Sequence, residues 1–446
     1  MTTPVRSDAV AIAGGRALRG TVRTPGDKSI SHRALLIGAL AEGTSTVVGL
    51  SDGDDVARTA AAVAALGASV ERRDGAVLIG GGRDRLHAAG TIDCGNSGTS
   101  MRLLAGVAAG LPWTTTLVGD DSLSARPMDR IARPLTAMGA TLEGRGETLM
   151  PPLVVHGGRL HGIDWTPPMA SAQVKSSILF AGLDASGETV VREPVPTRTH
   201  TEEMLAGAGA ELTVEPWGTG RLVRLLASRL RPLDLHVPGD PSQAAFWLVA
   251  GCVVPGSAVV VERVYAGAER IGFMGVLARM GASVAVGPVT DGAADLSSAH
   301  SVLRGTDVAA AEIPSLDEIP VLAVAAAAAT GTTRFRDVGE LTVKESDRLA
   351  ATISLVAALG ARARAEGDDL VVDGAGSLGS APVRFHSRGD HRLAMAAMVA
   401  AAGCPAGGVI EGVTSVETSY PGFLDHLDAL AGPGSWSPAD PDPGRS

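Results

Sequence analysis

The chain is short of aromatic side chains, of cysteine and of long apolar runs. Phe, Trp and Tyr make up 3% of its 446 residues, too few for the stacking platforms on which bases and sugars are read. Three cysteines, at 94, 252 and 404, have no metal-ligand spacing and build no disulfide framework, which points to a reducing compartment. The longest apolar stretches, around 319–329 and 393–404, fall below the roughly 18 residues that cross a bilayer. The opening MTTPVRSDAVAIAGG lacks the apolar centre of a signal peptide. A formal charge of −10 argues against nucleic acid or an anionic membrane as the main partner. What is present in quantity is apolar surface, 45% of residues against 19% charged, enough for a globular protein of more than one domain. These features predict a soluble, cytoplasmic enzyme.

Glycine is plentiful, and it is ordered. One phrase, an apolar helical stretch, a Gly and a β-rich run, recurs at Gly43, Gly110, Gly187, Gly256, Gly331 and Gly408, spaced 67, 77, 69, 75 and 77 residues apart. A second phrase of the LGASVERRDGAVLI type follows it at Gly67, Gly139, Gly209, Gly281 and Gly360. Gly after a helix suits a left-handed C-cap, the Thr/Val run after it has β character, and Asp74-Gly75 or Gly367-Asp368 are hairpin-turn residues. The unit reads β-α-β-α-β-β, repeated six times. The sixth copy lacks its hairpin, and the pair VAIAGG and ALRGTV near the N-terminus is expected to supply the missing strand. Two lobes of three repeats follow: 21–230, and 1–20 with 231–432. The Pro/Ser/Asp-rich segment 433–446 reads as a disordered tail.

Each repeat opens its first helix with polar residues: Asp27-Lys28-Ser29 with Arg33, Gly95 to Thr99, Ser171-Ala172-Gln173, Asp240 to Gln243, Asp317-Glu318, and Asp390-His391-Arg392. Ser, Asp and Asn there are helix caps. Capping does not account for Lys28, Arg33 and Arg392, because a cation near a helix start opposes the dipole and costs up to about 1 kcal/mol unless an anion is bound. Lys344 and Arg348 in VKESDRL stand four apart, which on one helix face sets two like charges together. Each helix start is thus a potential seat for an anion.

The segments PGDKSISHRALLIGALAEG, GNSGTSMR, SARPMDR, SAQVKSS, LTVKESDRL and GDHRLAMAA resemble those of the 5-enolpyruvylshikimate-3-phosphate synthases (3-phosphoshikimate 1-carboxyvinyltransferases), enolpyruvyl transferases of the shikimate pathway of aromatic amino acid and chorismate biosynthesis. The likeness runs from Pro25 to about Pro421. It implies an α/β (α+β) fold, a two-lobed inside-out α/β barrel of six β-α-β-α-β-β repeats. It implies transfer of the enolpyruvyl group of phosphoenolpyruvate to the 5-hydroxyl of shikimate 3-phosphate by addition and elimination, with no metal or organic cofactor, in a monomer whose partners are those two small molecules.

Motif by motif, the resemblance puts shikimate 3-phosphate on Lys28, Ser29, Arg33, Ser171, Ala172, Gln173, Arg198, Asp317 and Lys344. It puts phosphoenolpyruvate on Lys28, Gly98, Arg126, Gln173, Arg348 and Arg392. Asp317, Glu345 and Lys28 are the implied catalytic groups, Asp317 as proton acceptor for the hydroxyl and Glu345 as its partner in proton traffic. The SAQVKS wording resembles a branch typified by glyphosate-insensitive bacterial enzymes. Gly98 implies room for that inhibitor, while Leu103 stands where some sensitive members carry Pro. Ala172 replaces a second Ser, so only its backbone contributes, and Thr418 stands where some members carry Lys. Lys175 reads equally as a site residue or as an outward, solvated one. UDP-N-acetylglucosamine enolpyruvyl transferases share the repeats but carry Lys-Asn where this chain has Lys28-Ser29, and a reactive Cys where 113–130 has none. An inactive repeat scaffold is the other alternative, and the intact charged motifs oppose it.

Overall fold

A computed structural model describes residues 7–440. The chain divides into two compact units, one continuous over 26–237 and one split, made of 1–25 with 238–446. Each unit holds three four-stranded sheets among the described residues. Every sheet has the same plan: an edge strand pairs in parallel with the strand after the first helix, and two antiparallel strands follow. The mixed α/β repeat expected from the glycine phrases is present in this form.

The first helix of each repeat is apolar on nearly every face, and such a helix belongs in an interior. Ile319–Ala328 (IPVLAVAAAA) has no polar side chain, and Pro241–Val253 and His391–Gly403 are buried end to end. These three pack on one another at the centre of the split unit. In the 26–237 unit Gly98–Ala109 packs against Lys28–Leu40 and Ala172–Gly182. Gly106 permits the closest approach, since a Cβ there would lie 2.2 Å from the Ser177 carbonyl oxygen. The second helices are amphipathic, as in Asp54–Ala65, which buries Val56, Thr59, Ala62 and Val63 and ends at Gly67 with φ 111°.

The sheets exchange edge strands in a way the repeat pattern does not reveal. Arg19–Val22 precedes the first helix in sequence but pairs in parallel with Ala258–Tyr265 of the fourth repeat. Asp234–His236 precedes the fourth repeat's helix but pairs with Gly43–Val48 of the first. The units therefore part at 25/26 and 237/238, a few residues beyond the 20/21 and 230/231 boundaries read from sequence. The two N-terminal strands do not stay together. Ala9–Ile12 enters the sixth sheet between Gly408–Glu411 and Trp436–Pro438, while Arg19–Val22 goes to the fourth.

The expectation of a disordered tail from 433 is corrected by that last strand. Trp436 packs on the core, Ala13 N–H donates to the Ser435 carbonyl at 2.8 Å, and Ala439 N–H donates to that of Ala9 at 3.0 Å. Pro438 sits on the sheet edge, where a missing N–H does no harm. Residues 441–446 of the expected tail lie outside the described residues.

Candidate active site

The predicted caps set the helix starts. Asp27, Ser97, Ser171, Asp240 and Asp390 each accept a hydrogen bond from a backbone N–H of the helix that follows. Glu318, at the fifth start, makes no such bond and instead accepts from the hydroxyls of Ser242 and Ser315.

In the 26–237 unit, Lys28 is half-buried, with Nζ 3.0 Å from Asp55 Oδ2. Ser29 Oγ accepts from Arg198 Nη1 at 2.8 Å. Arg33 is buried and ties three helices together, donating to Thr201 Oγ1, the Ser29 carbonyl and Ser176 Oγ at 2.6, 2.8 and 2.6 Å. Ala172 opens its helix, so its N–H lies among the end groups that have no partner within the helix. Gln173 accepts from Arg102 Nη1 at 2.8 Å and donates to Thr99 Oγ1 at 2.9 Å. Arg126 Nη2 donates to Asn96 Oδ1 at 2.7 Å. A Cβ on Gly98 would lie 2.9 Å from Arg102 Nη1 and 3.5 Å from Arg126 Nη1, so this glycine leaves space where two guanidinium groups come together. Arg102 was missed as a site residue by sequence reasoning. Its signal was available, because it follows Gly98 by four residues in GNSGTSMR and shares its helix face.

Beneath this surface lies a buried polar chain. His32 Nδ1 bonds Thr59 Oγ1 at 2.7 Å, Thr59 Oγ1 bonds Ser100 Oγ at 2.7 Å, and Ser100 Oγ donates to Ser97 Oγ at 2.7 Å. Burial, with Lys28 and Arg33 nearby and only Asp55 opposing, pushes the His32 imidazole down to about 3. Lys175, read from sequence as outward as readily as inward, is fully buried with two carboxylates on its ammonium. Its helix is buried all round, so helical periodicity had no outer face to mark.

In the split unit the charges converge on Arg348, which is 1% exposed. Its Nη1 lies 3.0 Å from Asp317, Nη2 2.6 Å from Glu345 and Nε 2.7 Å from Asp390. Burial works against its charge, but the three carboxylates outweigh that and raise its pKa. Asp390 in turn is held below the usual carboxylate range: burial pushes it up, and Arg348 and His391 more than offset that. Arg392 is 3% exposed, with Nη2 3.5 Å from Asp317 Oδ2. Its Nε and Nη1 are buried and have no hydrogen-bond partner among the described residues, an arrangement that costs free energy unless an anion completes it.

One expectation fails here. Lys344 and Arg348 do not share a helix face: Asp347 caps the helix by accepting from Ala350 N–H at 3.0 Å, and the helix begins at Arg348. Lys344 lies in the preceding turn, 3.2 Å from Glu340. Thr418 turns its hydroxyl onto the Ser415 carbonyl at 2.6 Å. Asp390 is a second missed residue, read as a cap alone although it also bonds Arg348.

A repeat-built α/β fold in which buried guanidinium groups lie beside carboxylates, with donors that have no partner among the described residues, suits a protein of small, multiply charged anions. Comparison with known proteins narrows this class. The profile of EPSP synthase (3-phosphoshikimate 1-carboxyvinyltransferase) matches residues 12–427. A protein of Caulobacter vibrioides named 3-phosphoshikimate 1-carboxyvinyltransferase is 45% identical over 435 residues, covering 94% of this chain and 97% of its own. One of that name from Bacillus anthracis is 42% identical over 424 residues, covering 93% and 97%. The solved EPSP synthase of Acinetobacter baumannii superposes with a TM-score of 0.83 at 38% identity, over 95% of this chain and 98% of that one. The chain belongs to the EPSP synthase family.

Proposed function

We propose that this chain carries out the family's reaction with the residues described above. The contacts to shikimate 3-phosphate are Ser29, Arg198, Ser171, Gln173, the backbone N–H of Ala172, Lys28, Arg33, Lys344 and Asp317. Phosphoenolpyruvate is held by Lys28, Gly98, Arg126 and Gln173 and by Arg348 and Arg392. Planar guanidinium groups suit its carboxylate and phosphate, each charge-assisted bond contributing about 1.5–3 kcal/mol. The 5-hydroxyl oxygen bonds to C2 of phosphoenolpyruvate as Asp317 takes its proton and protonated Glu345 gives one to the methylene carbon. In the second step that carbon returns a proton to Glu345, the C2–C3 double bond re-forms, the C2–phosphate oxygen bond breaks, and phosphate leaves with the proton that Asp317 had taken. Glu345, beside Arg348, takes part in the methylene proton transfers. Arg102, in contact with Gln173, joins the set that orients the anions.

The observation that carries this reading is Arg392, buried beside Asp317 with two guanidinium nitrogens that have no partner among the described residues. The test is phosphate release from phosphoenolpyruvate with shikimate 3-phosphate as acceptor. Release with UDP-N-acetylglucosamine but none with shikimate 3-phosphate overturns it.

A further inference from the structure

Lys175 is a buried cation that the reaction does not use. It stands one turn into Ala172–Gly182, and its Nζ meets three oxygens: Glu193 Oε2 at 2.7 Å, Glu202 Oε1 at 2.6 Å and the Arg198 carbonyl at 3.0 Å. The two glutamates close off the connection between Thr189–Glu193 and His200–Gly207, and Arg198 lies in that connection. The same stretch is tied twice more, by the Thr197 hydroxyl to Glu193 and by Arg221 Nη2 to the Thr197 carbonyl at 2.8 Å. Arg221 Nε also lies 3.5 Å from Glu193, so two cations and two carboxylates share the space and their formal charges cancel. Three ammonium bonds for three acceptors is full satisfaction of a lysine, and a buried charge persists only when it is satisfied in this way.

Because the backbone of Arg198 is gripped from within, its side chain emerges from a fixed point and Nη1 reaches Ser29 Oγ at 2.8 Å. We infer that Lys175 is a positioning residue for shikimate 3-phosphate: clamped by Glu193 and Glu202, it holds the Arg198 carbonyl and so sets the guanidinium against Ser29. This inference rests on the proposal that Arg198 meets that substrate.

The double variant Lys175→Met/Glu202→Gln tests this. It removes one charge of each sign, leaves Glu193 with Arg221 and Thr197, and loses the bond to Arg198. Initial rates on folded protein are measured with each substrate varied, beside Arg198→Ala and the triple variant. Expected is a rise of at least tenfold in KM for shikimate 3-phosphate, with KM for phosphoenolpyruvate within twofold of wild type and no further rise in the triple variant. A double variant that keeps its KM for shikimate 3-phosphate while Arg198→Ala raises it overturns the positioning role and leaves the substrate assignment standing. Arg198→Ala with unchanged KM overturns that assignment, and the inference with it. A multiplicative loss in the triple variant shows that Lys175 and Arg198 act separately, which also overturns it. If the double variant does not fold, Lys175→Met with Glu202→Met keeps the neutral balance in an apolar form and is read in the same way.

Discussion

At the scale of single residues, the open donors of Arg392 make the sharpest statement about ligand binding. Two buried guanidinium nitrogens with no partner among the described residues can each make a charge-assisted bond of about 1.5–3 kcal/mol. Arg392→Ala is expected to raise KM for phosphoenolpyruvate by roughly 10²–10⁴-fold, the range those bonds span, as measured by phosphate release. A rise below fivefold would mean that the guanidinium faces no substrate. His32 gives a prediction of another kind. Its folded pKa of about 3 lies below the ordinary 6.5, so between those values the unfolded chain binds a proton that the folded one does not. Stability is therefore unaffected by this group above pH 6.5 and falls as pH drops below it, by about 1.4 kcal/mol per unit. His32→Asn retains a polar partner for Thr59 without the titration. Urea unfolding at pH 7 and pH 5 should show wild type losing about 2 kcal/mol more than the variant over that interval. Equal losses would count against a neutral buried imidazole. Neither residue betrays its burial in sequence. The motif marks the side chain, but only the packing of helices buried on nearly all faces shows that it is enclosed.

At the scale of elements, the helix starts were legible because a cap is a local event. Asp27, Ser97, Ser171, Asp240 and Asp390 each sit next to the N–H groups they satisfy. The Lys344–Arg348 segment was misread because its spacing fits a helix equally well, and Asp347 decides where that helix begins. The second role of Asp390 was hidden for the opposite reason, its partner Arg348 being 42 residues away. The two roles can be separated. Asn caps a helix about as well as Asp, so Asp390→Asn retains the bond from Arg392 N–H and removes the charge and the acceptor beside Arg348. Loss of one partner of a buried pair costs roughly 3 kcal/mol or more, and Asp390→Ala should cost about a further 1 kcal/mol for the cap. Denaturant unfolding of both variants measures the order. If Asp390→Asn is neutral, Asp317 and Glu345 suffice for Arg348.

At the scale of the whole molecule, six repeats were legible in glycine spacing, and the exchange of edge strands was not. A three-residue strand such as Asp234–His236 has the same local sequence character whichever sheet receives it, and pairing 188 residues away with the 43–48 strand is settled by long-range closure. That closure predicts how the chain can be cut. All three four-stranded sheets of the 26–237 unit are made from its own residues, Asp234–His236 included. The 238–446 segment lacks two strands: Arg19–Val22, which lines the fourth sheet, and Ala9–Ile12, which lies between two neighbours in the sixth. With them go Val10, Ile12, Leu18 and Val22, all in the core of that unit. At about 1.5–3 kcal/mol per buried side chain their loss comes to roughly 6–12 kcal/mol, comparable to the whole net stability of a domain at about 5–15 kcal/mol. Fragment 26–237, expressed alone, is expected to melt cooperatively by circular dichroism. Fragment 238–446 is expected to show no cooperative melt until a peptide of residues 1–25 is added or fused through a flexible linker. Cooperative folding of 238–446 without that peptide would show that the N-terminal strands decorate the unit instead of completing it.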